Sequence, residues 1–172
     1  MIKIIKDMRK IIDGDVMLSF LHLTELLDLS DVEVTGNFYC SSNELTSLKG
    51  APKTVNLSFR CVNNNLTNLV GAPKTVGGTF YCQETNLTSL SGAPHEVGAD
   101  FCCFGNNFTS LEGAPKTVGG TFYCTRNELT SIKGIPETIG GNFLIDKILE
   151  YKFTEEYIRS LSNIKGNIIY WL

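Results

Sequence analysis

Apolar and polar positions recur along this chain with a period of 21 residues and no slip. Phe stands at 38, 59, 80, 101 and 122, Cys at 40, 61, 82, 103 and 124, and Pro at 52, 73, 94, 115 and 136. A strict period in the twenties marks one supersecondary unit stacked on itself, because a single unit cannot bury its own apolar face. Within each unit the pattern begins at period two, as in Phe80-Tyr81-Cys82, which predicts a short strand with Phe and Cys turned inward. In the third copy Leu87, Leu90 and Val97 close the core behind that strand. The Gly-Ala-Pro break that follows cannot be helix interior, since Pro lacks the N–H and restrains the residue before it.

The flanks depart from the period. Met1, Ile4, Ile5, Met8, Ile11 and Ile12 fall on one helical face opposite Lys3, Lys6, Arg9 and Lys10, and Gly14 stops the pattern. Residues 1–33 are therefore expected to be an N-terminal helical cap followed by a degenerate repeat, in which Leu23-Thr24-Glu25-Leu26 stands for the usual Leu-Thr-Ser-Leu. The array proper runs over 34–145. At its end Ile145 replaces Cys and Ile148 replaces Asn, so residues 146–172 are expected to form a C-terminal helical cap. Thr154-Glu155-Glu156 predicts its helix start, and Tyr157, Ile158, Leu161 and Ile164 its apolar face. The final Ile168-Ile169-Tyr170-Trp171-Leu172 is expected to pack under that helix, with self-association as its alternative role. The 172 residues read as a single domain, 42% hydrophobic.

The spacing Phe-x-Cys-x-x-Asn-x-Leu resembles the middle and end of the leucine-rich repeat. The LTSLxGAPxxVGGxFxCxxN pattern is similar to short leucine-rich repeats found in bacterial and tailed-phage open reading frames. The resemblance covers about two thirds of the chain, with departures at Thr85 (Asn in the other copies), at Leu57 and Ala99 (second glycine) and at Phe108 (Leu). It implies a leucine-rich-repeat solenoid: a curved parallel sheet of short strands on the concave side, extended or polyproline-like segments on the convex side. It also implies a phage or mobile-element protein that blocks a host protein, a defence component being the sharpest version.

The recurrent Asn43, Asn64, Asn106 and Asn127 carry both a donor and an acceptor, which suits them to satisfy bent backbone in the neighbouring turn. Five of the six cysteines share one inward strand position and form a ladder about 4.8 Å per rung. In-register side chains do not bring Cβ atoms to disulfide distance, and a row of thiols is no tetrahedral metal cage. The ladder is read as buried free thiol, and no metal or cofactor is expected. Cys102 precedes its ladder neighbour, points to the opposite face, and is expected to be the thiol a reagent reaches. The Asn-x-Thr triplets at 65–67, 86–88 and 107–109 are products of the repeat and are discounted as glycosylation sites.

A net charge of −3 argues against a nucleic-acid protein working by broad electrostatics. No stretch approaches the length that spans a bilayer, and the N-terminus mixes charge and Ile too closely for a signal peptide. A cytoplasmic location is expected, that of the host if phage-encoded, with no membrane partner. No nucleophile elbow, P-loop or paired His and Cys is evident, so no enzyme is expected.

Function then falls to the variable positions between the repeated ones. The residue between inward Phe and Cys points outward, giving a column of Tyr39, Arg60, Tyr81, Cys102, Tyr123 and Leu144. Neighbouring columns add Asp100, Phe104, Glu84 and Arg126. Tyr and Arg are the residues that most often carry binding energy at interfaces. The candidate site is this face, expected to be the concave side of the sheet and formed by Tyr39, Arg60, Tyr81, Glu84, Asp100, Cys102, Phe104, Tyr123 and Arg126, and its expected partner is another protein, as yet unidentified. Lys53, Lys74 and Lys116 on the other side form a weaker candidate. Two alternatives stay open: a self-associating structural protein, forming a homo-oligomer, and a small-molecule or carbohydrate binder.

Overall fold

A computed structural model describes residues 10–172. Each 21-residue unit supplies two very short strands, one built on Thr-Val and one on Phe-Tyr, joined by a tight corner. Stacking in register assembles two eight-stranded parallel sheets. The first contains β1 (Lys10–Ile12), β3 (Val32–Val34), β5 (Thr54–Val55), β7 (Thr75–Val76), β9 (Glu96–Val97), β11 (Thr117–Val118), β13 (Thr138–Ile139) and β15 (Asn163–Ile164). The second contains β2 (Val16–Met17), β4 (Phe38–Tyr39), β6 (Phe59–Arg60), β8 (Phe80–Tyr81), β10 (Phe101–Cys102), β12 (Phe122–Tyr123), β14 (Phe143–Asp146) and β16 (Ile168–Trp171). A third side, carrying the Leu-x-x-Leu segments, stacks without regular strands. The architecture is a parallel β-solenoid.

Register follows from the constant period. Val55 pairs with Val76 and Phe59 with Phe80, so equivalent positions stack through the whole array and the inward ones place like on like. Phe38, Phe59, Phe80, Phe101, Phe122 and Phe143 form one continuous buried column with ring centroids 5.1–5.6 Å apart. The Cys, Leu and Val columns complete the core beside it.

Asn43, Asn64 and Asn106 do the work expected of them, while Asn127 only donates, its Oδ1 accepting from no backbone group. Asn64 Nδ2 donates 3.0 Å bonds to the carbonyls of Cys61 in its own turn and Cys40 in the turn before, while its Oδ1 accepts the Leu45 N–H. Asn106 repeats this arrangement and accepts from both Thr85 and Leu87 N–H groups. Thr85 covers only part of the role: its hydroxyl donates to Cys82 within its own turn. A second side-chain ladder lies one corner away. There Asn37 Oδ1 accepts the Ser58 N–H, Ser58 Oγ accepts the Thr79 N–H, and Asp100 Oδ1 accepts the Thr121 N–H.

Three expectations need correction. The Gly-Ala-Pro side is not merely extended. The Thr-Val, Glu-Val or Thr-Ile pair that follows each Pro is a strand of the first sheet, because extended backbone stacked in register finds partners in the adjacent turns, as Lys53 N–H does with Val32 and Asn56 N–H with Val34. The two-sheet arrangement replaces the single-sheet division into concave and convex sides.

The N-terminal helical cap is the second. Its last three residues, Lys10–Ile12, form β1 and pair with β3, with Ile12 extending the column of Val34. The rest of that predicted helix lies outside the described residues. Gly14, at φ 96°, turns a corner instead of ending a helix. The degenerate repeat, with the corner before it, is a working turn, with Val16 in register with Phe38 and Leu26 buried.

The third is the C-terminal cap. The predicted helix exists as α1 (Glu155–Leu161), and the Thr154 side chain accepts the Tyr157 N–H at its start. It is only seven residues long and stands in for the Leu-x-x-Leu side of the last turn. Ile168–Trp171 does not pack under it. That segment is β16, paired with β14 over four residues, with Ile168 in register with Phe143 and so continuing the Phe column. Asp146 takes over capping at this end, accepting the Arg126 and Asn127 N–H groups where residue 148 no longer supplies an amide.

Candidate functional site

The outer face of the second sheet carries the Tyr39, Arg60, Tyr81, Cys102, Tyr123, Leu144 column, one residue per rung, because its neighbours Phe and Cys point into the core. Tyr39, Arg60, Tyr81 and Tyr123 are half-buried. The Arg60 guanidinium lies 3.8 Å from the centroid of the Tyr81 ring. This stacking holds a long side chain flat and presents a mixed aromatic and cationic surface.

The next corner holds Ser42, Asn63, Glu84, Gly105 and Arg126 in one column. Ser42, Asn63, Glu84 and Arg126 are all left-handed, at φ 53–56°, and Gly105 is at φ 66°. This conformation is uncommon for residues other than Gly and Asn. The repeat places these residues in a column without revealing that their backbone is forced; the mix of Ser, Asn and Gly is the signal that could have shown it. Because Gly105 has no side chain, Glu84 and Arg126 reach across it to within 3.8 Å of each other, two turns apart. Both are exposed, so the pair is an oriented surface feature of little energetic weight.

Three members of the candidate set are less open than expected. Asp100 belongs to the corner ladder and is half-buried, its carboxylate accepting the Thr121 N–H at 2.7 Å. Phe104 is half-buried. Cys102, expected to be accessible, is 7% exposed, because Tyr81 and Tyr123 flank it in register. Burial, with a contribution from nearby Asp100, pushes its thiol up to about 12. Of the nine, only Cys102 is closed off; Tyr39, Arg60, Tyr81 and Tyr123 are half-buried, as Asp100 and Phe104 are, and Glu84 and Arg126 are exposed.

All six cysteines are free and buried. Cys40, Cys61, Cys103 and Cys124 donate their S–H to carbonyls of the following turn at 3.1–3.4 Å. Burial raises every ladder thiol well above the ordinary range. A thiol-reactive chromogen at neutral pH is therefore expected to react with no cysteine at the rate of a free thiol, with Cys102 first and the ladder only on unfolding. Absorbance counting with and without denaturant measures this; rapid reaction of a ladder cysteine would contradict the buried column.

Among the described residues no group of three His, Cys, Asp or Glu is placed to hold a metal ion, and no helix is long and apolar enough to cross a membrane. Lys116 on the other sheet pairs with Glu137 at 3.4 Å, while His22 approaches Glu44 at 3.3 Å on the surface. No family model, curated protein or solved structure matches this chain.

Proposed function

We propose that this solenoid is a non-catalytic interaction module that binds another protein through the outer face of its second sheet. The observation that carries the reading is the run Tyr39, Arg60, Tyr81, Tyr123, in which Arg60 is already stacked 3.8 Å over Tyr81. Side chains ordered before binding lose little freedom on contact, and Tyr and Arg gain most from desolvation at an interface. The scaffold beneath is rigid and repetitive, so changes in this column alter the surface without altering the fold. The resemblance to short bacterial and phage leucine-rich repeats supports the sharper version: a phage or mobile-element protein that binds and blocks a host protein inside the host cytoplasm.

The test compares wild type with a Tyr39→Ala, Tyr81→Ala, Tyr123→Ala variant of unchanged circular dichroism, each used to capture proteins from bacterial lysate. A partner held by wild type and released by the variant supports the reading. A partner held equally by both moves the binding surface elsewhere. Capture by neither favours self-assembly, and a melting shift with a glycan or metabolite alone would favour the small-molecule alternative.

A further inference from the structure

The two ends of the solenoid carry the same corner. At one end Ile12-Asp13-Gly14-Asp15-Val16-Met17 joins β1 to β2; at the other, Ile164-Lys165-Gly166-Asn167-Ile168-Ile169 joins β15 to β16. Their places in the stack are equivalent. Ile12 pairs with Val34 and Ile164 with Ile139, while Val16 pairs with Phe38 and Ile168 with Phe143. Among the described residues, β1, β2, β15 and β16 each have a neighbour on one side only.

A second copy stacked head to tail would put Ile12 on Ile164 and Val16 on Ile168, continuing both core columns. It would also set Asp13 of one copy over Lys165 of the other, opposite in charge. The corner ladder would continue as well. Asn142 Oδ1 accepts the Asn167 N–H at 2.8 Å, and Asp15 Oδ1 accepts the Asn37 N–H at 2.7 Å. Asn167 is thus placed to accept from Asp15 of the next copy. A matched end of this kind is heterologous and does not close, so unchecked it grows into a fibre.

Among the described residues, one side chain stands in the way. Arg159, on α1, donates to the carbonyl of Ile164 at 2.8 Å and to that of Gly166 at 3.0 Å. Glu155 holds it there, 2.8 Å from its Nε. Within the stack, the Lys165 N–H donates to Ile139 and the Gly166 N–H to Gly141. By that pattern, the Ile164 and Gly166 carbonyls are the acceptors an incoming turn would need. Both sheets share each turn, so a copy cannot pair with β16 without also reaching β15. We infer that the two ends form a latent head-to-tail interface for a second copy of this chain, kept closed by Arg159 across the Ile164 and Gly166 carbonyls.

The test is sedimentation of wild type and Arg159→Met, a change that keeps the aliphatic stem and removes the donors, over a range of concentrations. Wild type is expected to stay monomeric, and the variant to associate at least about tenfold more tightly, without a size limit. Adding Asp13→Lys or Lys165→Asp to Arg159→Met should each weaken association by about tenfold, and combining both should restore it to within about threefold. Circular dichroism on every variant separates loss of fold from loss of contact. If Arg159→Met stays monomeric while folded, the interface is refuted. If wild type associates as strongly as the variant, Arg159 does not close it. Association indifferent to Asp13→Lys, as a tail-to-tail contact would be, also overturns the proposal.

Discussion

Replacing Asn106 with leucine is expected to destabilise the fold by about 4 kcal/mol or more, enough to bring a domain of ordinary stability near its unfolding threshold. The side chain is 4% exposed and ties together the backbone of adjacent turns. Its Nδ2 donates to Cys82 and Cys103, and its Oδ1 accepts from Thr85 and Leu87. Leucine is similar in volume but supplies neither donor nor acceptor, so buried backbone groups from both turns lose their partner together. Each such group costs about 1–3 kcal/mol when left unmade. The Thr85 hydroxyl also lies 3.2 Å from Asn106 Oδ1, so the turn that already lacks an Asn loses that link as well. Urea unfolding measures the effect, with Asn65→Leu, at an exposed position one residue beyond the ladder, as a control expected within about 0.5 kcal/mol of wild type. An Asn106→Leu midpoint equal to that of the control would mean the amide ladder contributes little.

That ladder is legible in the repeat alone, because an amide recurring at nearly every turn beside two inward apolar residues has few other uses. The Phe and Cys columns are legible for the same reason. What the repeat does not reveal is the sheet built on the Thr-Val pairs. Thr-Val is only two residues, shorter than any periodicity can register, and becomes a strand only because a similar dipeptide lies above and below it. The ends mislead from the same cause. Lys10-Ile11-Ile12 and Ile168-Ile169-Tyr170-Trp171 fit a helix face or an apolar tail packed under a helix when considered locally; their strand character comes from the turns they stack on. At the candidate face, alternation places Tyr39, Arg60, Tyr81 and Tyr123 outward. It does not show that neighbouring tyrosines close over Cys102, nor that Asp100 is taken up by a backbone N–H.

The cysteine columns also set an alkaline limit on the fold. Burial raises all six thiols, Cys102 to about 12 and the ladder well above the ordinary value. In the unfolded chain each would ionise near pH ~8.5. A group with its folded pKa raised contributes its full stability below the unfolded pKa and loses it as pH rises toward the folded one. Between about pH 8.5 and 9.5 each thiol therefore shifts the balance toward unfolding by about 1 kcal/mol, and six together by about 6 kcal/mol. Tyr and Lys titrate mainly above that window, so the loss there belongs to the thiols. Under reducing conditions the urea midpoint is expected to fall steeply from about pH 8 to about 9.5, with unfolding near pH ~10 without denaturant. A Cys61→Ala, Cys82→Ala variant is expected to be less stable near neutral pH, because it leaves cavities, yet to lose about 2 kcal/mol less between about pH 8.5 and 9.5. A midpoint that stays flat across this window, or a double variant with an unchanged slope, would show that the thiols ionise as readily in the fold as outside it, which a sealed column of sulfur one rung per turn does not allow.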